Sequence, residues 1–406
     1  MTFLTFAASV ERLRTMTIGV GRMGRGDRSA LVAAGTLWCL GFALMIGLLL
    51  AGRLDSIPYH VYAAAGRRWL AHAPLYETET IDGFQYFPQS ALLLAPFAWF
   101  GSPWGDVAWR ATNWALYALG IWRVSRLLAP NRAPACFLLA TCLAIASATG
   151  SLGNGQANLA IAALTLHVAA ELMQQHWWLA TAILALGFAL KPLMVVLLLL
   201  VWVVYRPMAW RIPLALGSVF GVPWLLRDNA YVMAQYAACA TKLSMCAAPD
   251  RLFEDLRGLL ATFGWLMPHS TYWVVRLVAA ACVLLTVLWT RRRVPEPHAS
   301  FLLAGFAGSY LMLFNPRTLS TSYVMTVSFA AIASALYLLQ RRVRAALAAL
   351  SIVLAWTISY RVFSCLEHWL RPLACIAFGA LLTCQAFERQ SSVFAVKLRA
   401  AARSAV

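Results

Sequence analysis

The feature that most constrains this chain is a series of apolar runs, each roughly 17 to 25 residues long, recurring from Leu31 towards the C-terminus. A run of that length crosses a hydrocarbon core of about 30 Å as a helix. Only a helix or a closed barrel satisfies its backbone groups there. Hydrophobic residues make up 62% of the 406 positions and charged residues 12%, too little polar surface for a soluble domain of this length. The alternating segments of about ten residues that mark an outer-membrane barrel are absent. The expectation is an all-α, polytopic integral membrane protein.

The formal net charge of +18 needs no nucleic acid to explain it. Basic residues cluster in short connections between apolar runs, which is the positive-inside pattern, with anionic lipid headgroups as counterpart. Arg12, Arg14, Arg22, Arg25 and Arg28 precede the first run, so residues 1–29 read as a cytoplasmic basic segment and the run itself as a retained first helix. Loop charge then orders the spans. Residues 30–51 cross outward into a first extracytoplasmic loop, 52–105, in which Phe87 to Phe100 is short and carries Pro88 and Pro96, suiting a re-entrant or interfacial helix. Residues 106–127 return to Arg123, Arg126 and Arg132; 134–150 go out and 156–173 come back. Residues 177–205 hold Lys191-Pro192 mid-run and read as a hairpin of two short helices with Lys191 near the outer face. Residues 211–226 lead to a second large outer loop, 227–257, and a short docked helix, 258–268. Spans at 271–290, 298–314, 321–339, 343–360 and 371–387 follow, and a basic cytoplasmic tail, 388–406, ends the chain. The sum is one transmembrane domain, 30–387, of about twelve helices in the plasma (inner) membrane.

This topology gathers the unusual polar residues on the outer face. Asp55 sits just beyond the first helix, where partial desolvation raises a carboxylate's basicity; it reads as a general base or as an interfacial acid beside Arg53. Tyr59, Tyr62 and Trp69 follow at near-helical spacing, suiting a sugar-stacking platform or a membrane-interface helix, and His60 and His368 are outer acid–base candidates or ordinary interfacial residues. Asn154, Gln156 and Asn158 open a helix at its N-terminus, where an anion is favoured, or where one of them is simply a cap. Lys191 offers a fixed charge to a phosphate within the membrane, or snorkels to headgroups. Arg317, in Asn315–Thr318, binds phosphate or pairs with Asp55, Asp228 or Asp250. Cys239 and Cys246 share a loop and either pair or stay as thiols. Zinc, haem, HExxH and P-loop patterns are absent.

Taken together these residues resemble glycosyltransferase family 87 of the GT-C superfamily, enzymes related to polyprenol-phosphate-mannose-dependent alpha-mannosyltransferases. The similarity is carried by Asp55 after the first helix, Leu75-Tyr76, Phe84-Gln85-Tyr86-Phe87-Pro88, GNGQAN at 153–158, Ala189-Leu190-Lys191-Pro192, and Asn315–Thr318 with Tyr323 five residues on. The resemblance implies a GT-C-like fold and a sugar, mannose by analogy, carried on a polyprenyl phosphate. It implies Asp55 as base and Lys191, Arg317, Asn154, Gln156, Asn158, Tyr86, Asn315 and Tyr323 around the donor, with Tyr59, Tyr62 and His60 near an unidentified glycan or glycolipid acceptor. It implies no cofactor and, with a single Asp where other GT-C groups carry adjacent acids, no metal. The competing reading is a transporter or lipid-linked sugar flippase, which would share the spans and the intramembrane lysine.

Overall fold

A computed structural model describes residues 24–54, 56–77, 79, 82–247, 252–315, 317–361 and 366–404. Among these described residues the α-helices and short 3₁₀ turns are the regular elements. The helices are α1 (Arg25–Leu50), α2 (Ile57–Leu70), α3 (Pro88–Trp99), α4 (Trp104–Leu128), α5 (Ala133–Asn154), α6 (Asn158–Met173), α7 (Trp177–Leu190) and α8 (Val195–Val204). They continue as α9 (Arg211–Leu226), α10 (Asn229–Ala247), α11 (Leu256–Thr262), α12 (His269–Arg293), α13 (His298–Phe314), α14 (Val324–Leu339), α15 (Val343–Arg361) and α16 (Glu367–Ser404).

Six stretches among the described residues are long and apolar enough to cross a membrane: Arg25–Leu50, Pro130–Asn154, Arg206–Leu226, His269–Arg293, Ser320–Leu339 and His368–Glu388. Others, including Asn158–Met173 and His298–Phe314, are apolar but shorter. The helix expected over 106–127 is 25 residues long but carries Asp106, Arg110, Arg123 and Arg126. The centre of the bundle is α6. All sixteen of its residues are buried, and it packs against α4, α7, α13 and α14. A helix that is apolar all round finds its place inside other helices rather than against lipid.

The helices share two ends. At one end Arg132 Nη1 donates to Leu339 O (3.1 Å), Arg123 meets Glu171, and the Tyr205 hydroxyl lies 2.8 Å from Ser300 Oγ. The arginines at 123, 132, 206, 211, 291–293, 341 and 342 sit in or beside these connections. At the other end lie the turns around residues 51–56, 154–157, 191, 227–228 and 315–323. The expected hairpin at Lys191 is present. Trp177 and Tyr205, at the ends of its arms away from Lys191, meet with ring centroids 5.6 Å apart, and Thr181 reaches Met208.

Two expectations change. Residues 227–257 were expected as a loop, yet most of them form α10. The polar residues that make this stretch read as a loop are its working face. Tyr231 Oη donates to Ala73 O (2.9 Å), Gln235 Oε1 accepts from Leu75 N (2.9 Å), and Lys242 Nζ donates to Glu77 O (2.6 Å) and Asp82 O. These side chains satisfy the backbone of the irregular segment that links α2 to α3, a requirement wherever backbone is buried outside a helix. The short helix expected at 258–268 is α11, which starts earlier because Asp255 caps it through Gly258 N (2.8 Å) and stops before Gly264, at φ +81°.

α3, at twelve residues, spans only about 18 Å of rise and is too short to cross the bilayer. It lies against α2 at closest approach through Gly66, where a Cβ would stand 2.8 Å from Ala95 Cα. Gly66→Val is therefore expected to force the two helices apart at about 1–3 kcal/mol and lower the unfolding temperature in detergent. Gly217→Val, where nothing lies within 4 Å, is the control that leaves it unchanged.

Candidate active site

The site-bearing end holds a cleft of about 580 Å³, within the range of small-ligand pockets. Ile57, Val61 and Tyr62 of α2 form one wall and Asp82, Gly83, Gln85 and Tyr86 a second, and Gln156, Lys191, Leu243, Asn315, Arg317 and Ser322 are among the residues that complete the lining.

Local sequence rules place these groups. Gly155, at φ +76°, ends α5 in the left-handed conformation, and α6 begins three residues later. Pro192 disfavours helix at the residue before it, Lys191 is extended (φ −152°, ψ 127°), and its side chain lines the cleft. Asn158, the first residue of α6, is fully buried. Its amide oxygen accepts from Lys191 Nζ at 2.6 Å. Its amide nitrogen lies 3.0 Å from Gln156 Oε1, 3.1 Å from Thr321 Oγ1 and 3.3 Å from Ser322 Oγ. One side chain thus joins the 153–158 turn, the Lys-Pro break and the segment after Asn315–Thr318.

The Tyr62 hydroxyl accepts from Ala157 N and lies 3.0 Å from the Tyr86 hydroxyl, while Lys191 Nζ stands 5.5 Å from the centre of the Tyr86 ring. Lys191 and Arg317 both line the cleft, and the Arg317 guanidinium lies 5.8 Å from the Phe253 ring. The Lys191 ammonium is held by a neutral amide, and among the described residues no carboxylate lies within ion-pair distance of it. Two basic side chains on the wall of a partly enclosed cleft, with Asp82 also on its lining, can meet an anion such as a phosphate.

The structure brings together Tyr62, Tyr86, Gln156, Asn158, Lys191, Asn315 and Arg317. Other expected residues lie elsewhere. Tyr59 is buried and does not line the cleft, and its hydroxyl donates to Phe97 O (3.0 Å). His60 is exposed beside Tyr59, and His368 is exposed at the start of α16. Asn154 closes α5, with its amide oxygen buried and without a partner among the described residues. Neither Asn154 nor Asn158 caps α6 through its side chain; Ala157 holds that position. The Tyr323 hydroxyl donates to Glu254 O (2.7 Å), tying the segment after Asn315–Thr318 to a buried ion pair between Glu254 and Arg371. Asp228 faces His72 (3.7 Å) and accepts from Tyr231 N. The Cys239 thiol donates to Tyr86 O, and the Cys246 side chain lies outside the described residues, as do Asp55 and Asp250. The neighbours of Asp55 approach the cleft: Ile57 and Pro58 line it.

The sequence reading missed Asp106 and Arg110. Both are buried on α4, where Arg110 Nε donates to Asp106 Oδ1 at 2.7 Å. The available signal was a charge pair at four-residue spacing inside an apolar, tryptophan-rich stretch. The reading took these residues as the end of a span instead.

A model of glycosyltransferase family 87 matches residues 84–316, more than half of the chain. The match contains Tyr86, the 153–158 turn, Lys191 and Asn315, and it begins after Asp55. No curated protein matches the chain.

The Asn158 node makes a prediction for stability. Asn158→Leu leaves a buried donor, Lys191 Nζ, and the acceptor Gln156 Oε1 without this partner, at about 1–3 kcal/mol. Lys191→Met removes that donor. A double-mutant cycle on thermal unfolding in detergent is expected to be non-additive by about 0.5–3 kcal/mol; strict additivity would contradict the contact.

Proposed function

The chain belongs to glycosyltransferase family 87, and on that premise we propose that this membrane glycosyltransferase takes its sugar from a polyprenyl-phosphate donor. The sugar is mannose by family resemblance. It passes to a hydroxyl of a glycan or glycolipid at the extracytoplasmic face of the plasma membrane. Asp55 takes the proton from the acceptor hydroxyl as its oxygen attacks the anomeric carbon, with inversion. The bond from that carbon to the phosphate oxygen breaks, its electron pair stays on the leaving phosphate, and Lys191 and Arg317 meet the charge. Gln156, Asn315 and the Tyr62–Tyr86 pair supply hydrogen-bonding groups for the sugar and phosphate. No cofactor enters beyond the lipid-linked sugar as co-substrate, and membrane lipids surround the bundle.

The observation that carries this reading is the presence of Lys191, without a carboxylate partner among the described residues, in one cleft with Arg317. A purely structural lysine in an apolar bundle would be expected to face a carboxylate or to snorkel out to headgroups. The segregation of charge supports the orientation. The short connections at 123–132, 206–211, 291–293 and 341–344, at the end of the bundle away from the cleft, are rich in arginine, and the positive-inside rule assigns that end to the cytoplasm. The chain runs alternately between the two ends through α1, α4 to α9 and α12 to α16. That direction reversal supports twelve passes, with α2, α3, α10 and α11 lying at the cleft end.

The test uses the purified protein in lipid vesicles with tritiated mannosyl-phosphoryl-polyprenol. The wild type is expected to release mannose to acceptor or water, whereas a flippase would move the lipid intact. Asp55→Asn is expected to lower turnover by about 10²–10⁴-fold with the thermal unfolding profile unchanged. Full activity in that variant rejects Asp55 as base.

Lys191→Met is expected to weaken both donor binding and turnover. Arg317→Lys is expected to restore only part of what Arg317→Ala loses, because a compact ammonium does not reproduce a bidentate fork. Equal activity of Arg317→Lys and wild type would argue against direct phosphate recognition by that residue.

A further inference from the structure

We propose that the buried Asp106–Arg110 pair is a positioning unit for the reaction: from α4 it holds the segment carrying Asp55 in register with the turn that supplies Gln156. The inference rests on the reading of Asp55 as base, and the geometry that supports it is independent of that reading.

Arg110 and Asp106 are 0% and 1% exposed and face each other one turn apart. The pair is bidentate, with Nε on Oδ1 at 2.7 Å and Nη2 on Oδ2 at 3.2 Å. Both members reach outward in opposite directions. Asp106 Oδ2 accepts from Ser56 Oγ at 2.9 Å. Ser56 is the N-cap residue of α2, yet its side chain makes no capping bond there. A serine at that position ordinarily caps its own helix. Here the hydroxyl is turned to α4, and residue 55 is its chain neighbour.

On the other side Arg110 Nη1 donates to Leu152 O and to Gly153 O (3.1 Å), the last carbonyls of α5. A cation at a helix C-terminus satisfies those carbonyls and complements the dipole. Trp109 Nε1 adds a bond to Gly155 O (3.0 Å). The fit is close. A Cβ on Gly155 would stand 2.8 Å from Arg110 Nη2, so glycine is favoured at this turn for two reasons, its φ of +76° and the guanidinium that a side chain would displace.

Energetics argue that the pair is kept for more than stability. Removing ions from water costs several kcal/mol each, and replacing a buried pair by apolar residues of similar volume is often neutral or stabilising. What an apolar pair cannot do is hold Ser56 and two α5 carbonyls at fixed hydrogen-bond distances. Acceptor attack depends on that kind of registration, since displacement of a base by about 1 Å can cost 10²-fold in rate.

The experiment compares the Asp106→Leu/Arg110→Met double variant, Ser56→Ala, Ser56→Thr and Asp55→Asn in full-length protein. The readouts are thermal unfolding, kcat and KM for tritiated mannosyl-phosphoryl-polyprenol, and deuterium uptake across residues 52–57. The double variant is expected to unfold within a few degrees of wild type while kcat falls by about 10²-fold and donor KM changes less than threefold. Ser56→Ala is expected to lose about tenfold in kcat, corresponding to one hydrogen bond, with faster deuterium uptake at 52–57, and Ser56→Thr to recover it.

Retention of kcat within threefold in both the double variant and Ser56→Ala, with unchanged uptake, overturns the proposal. If the double variant does not fold, the Ser56→Ala and Ser56→Thr comparison decides alone. An active Asp55→Asn rejects the base assignment instead, and deuterium uptake then still reports whether the pair holds the segment.

Discussion

The ammonium group of Lys191 is the constraint on which the rest of this end of the molecule depends. A cation inside an apolar bundle is costly unless it is hydrogen-bonded or paired. Here its hydrogen bond goes to the amide oxygen of Asn158 at 2.6 Å, which satisfies one of its protons. Asn158 can serve only because it opens the fully buried α6 and is held in turn by Gln156, Thr321 and Ser322. Three stretches far apart in sequence are therefore fixed relative to one another by a single amide. The cleft they surround has cations on its wall, and in the proposed reaction it receives a phosphate.

The second organising constraint is backbone satisfaction outside the helices. The described residues between Ala71 and Phe87 have no regular structure, yet several of them form one wall of the cleft. α10 supplies the missing partners through Tyr231, Gln235 and Lys242, and Arg227 donates to Trp69 O and Leu70 O at the end of α2. On the opposite side the Asp106–Arg110 pair performs a similar task for the last carbonyls of α5. Irregular backbone near membrane depth is tolerated when protein groups satisfy it, and these polar side chains do so at the one end where a site is needed.

Much of this was legible in the sequence. Apolar runs bounded by arginines gave the helical class and the membrane, because both follow directly from hydrocarbon thickness and charge. Lys191-Pro192 marked the α7–α8 break, since proline restricts the residue before it. Asn158 and Lys191 were legible as unusual residues, but their contact spans 33 positions and was not. Tyr59 and Tyr62 illustrate the limit. Both belong to an aromatic stripe, and only the packing of α3 and α4 decides that Tyr62 meets the cleft while Tyr59 points at Phe97 O. Asp106 and Arg110 were hidden because charges at a helix end read as solvated, and α10 was hidden because a helix whose polar face binds backbone has the composition of a loop.

The central claim is that the cleft lined by Lys191 and Arg317 receives the phosphate and sugar of a lipid-linked donor. Cryo-electron microscopy of the protein with a non-cleavable mannosyl phosphonate of a polyprenol tests this directly. The account expects the phosphonate oxygens within about 3 Å of Lys191 Nζ and the Arg317 guanidinium. It also expects the Asp55 carboxylate on the face of the sugar opposite the phosphonate. A phosphonate bound away from Lys191 and Arg317, or a sugar whose anomeric carbon faces away from Asp55, would contradict it.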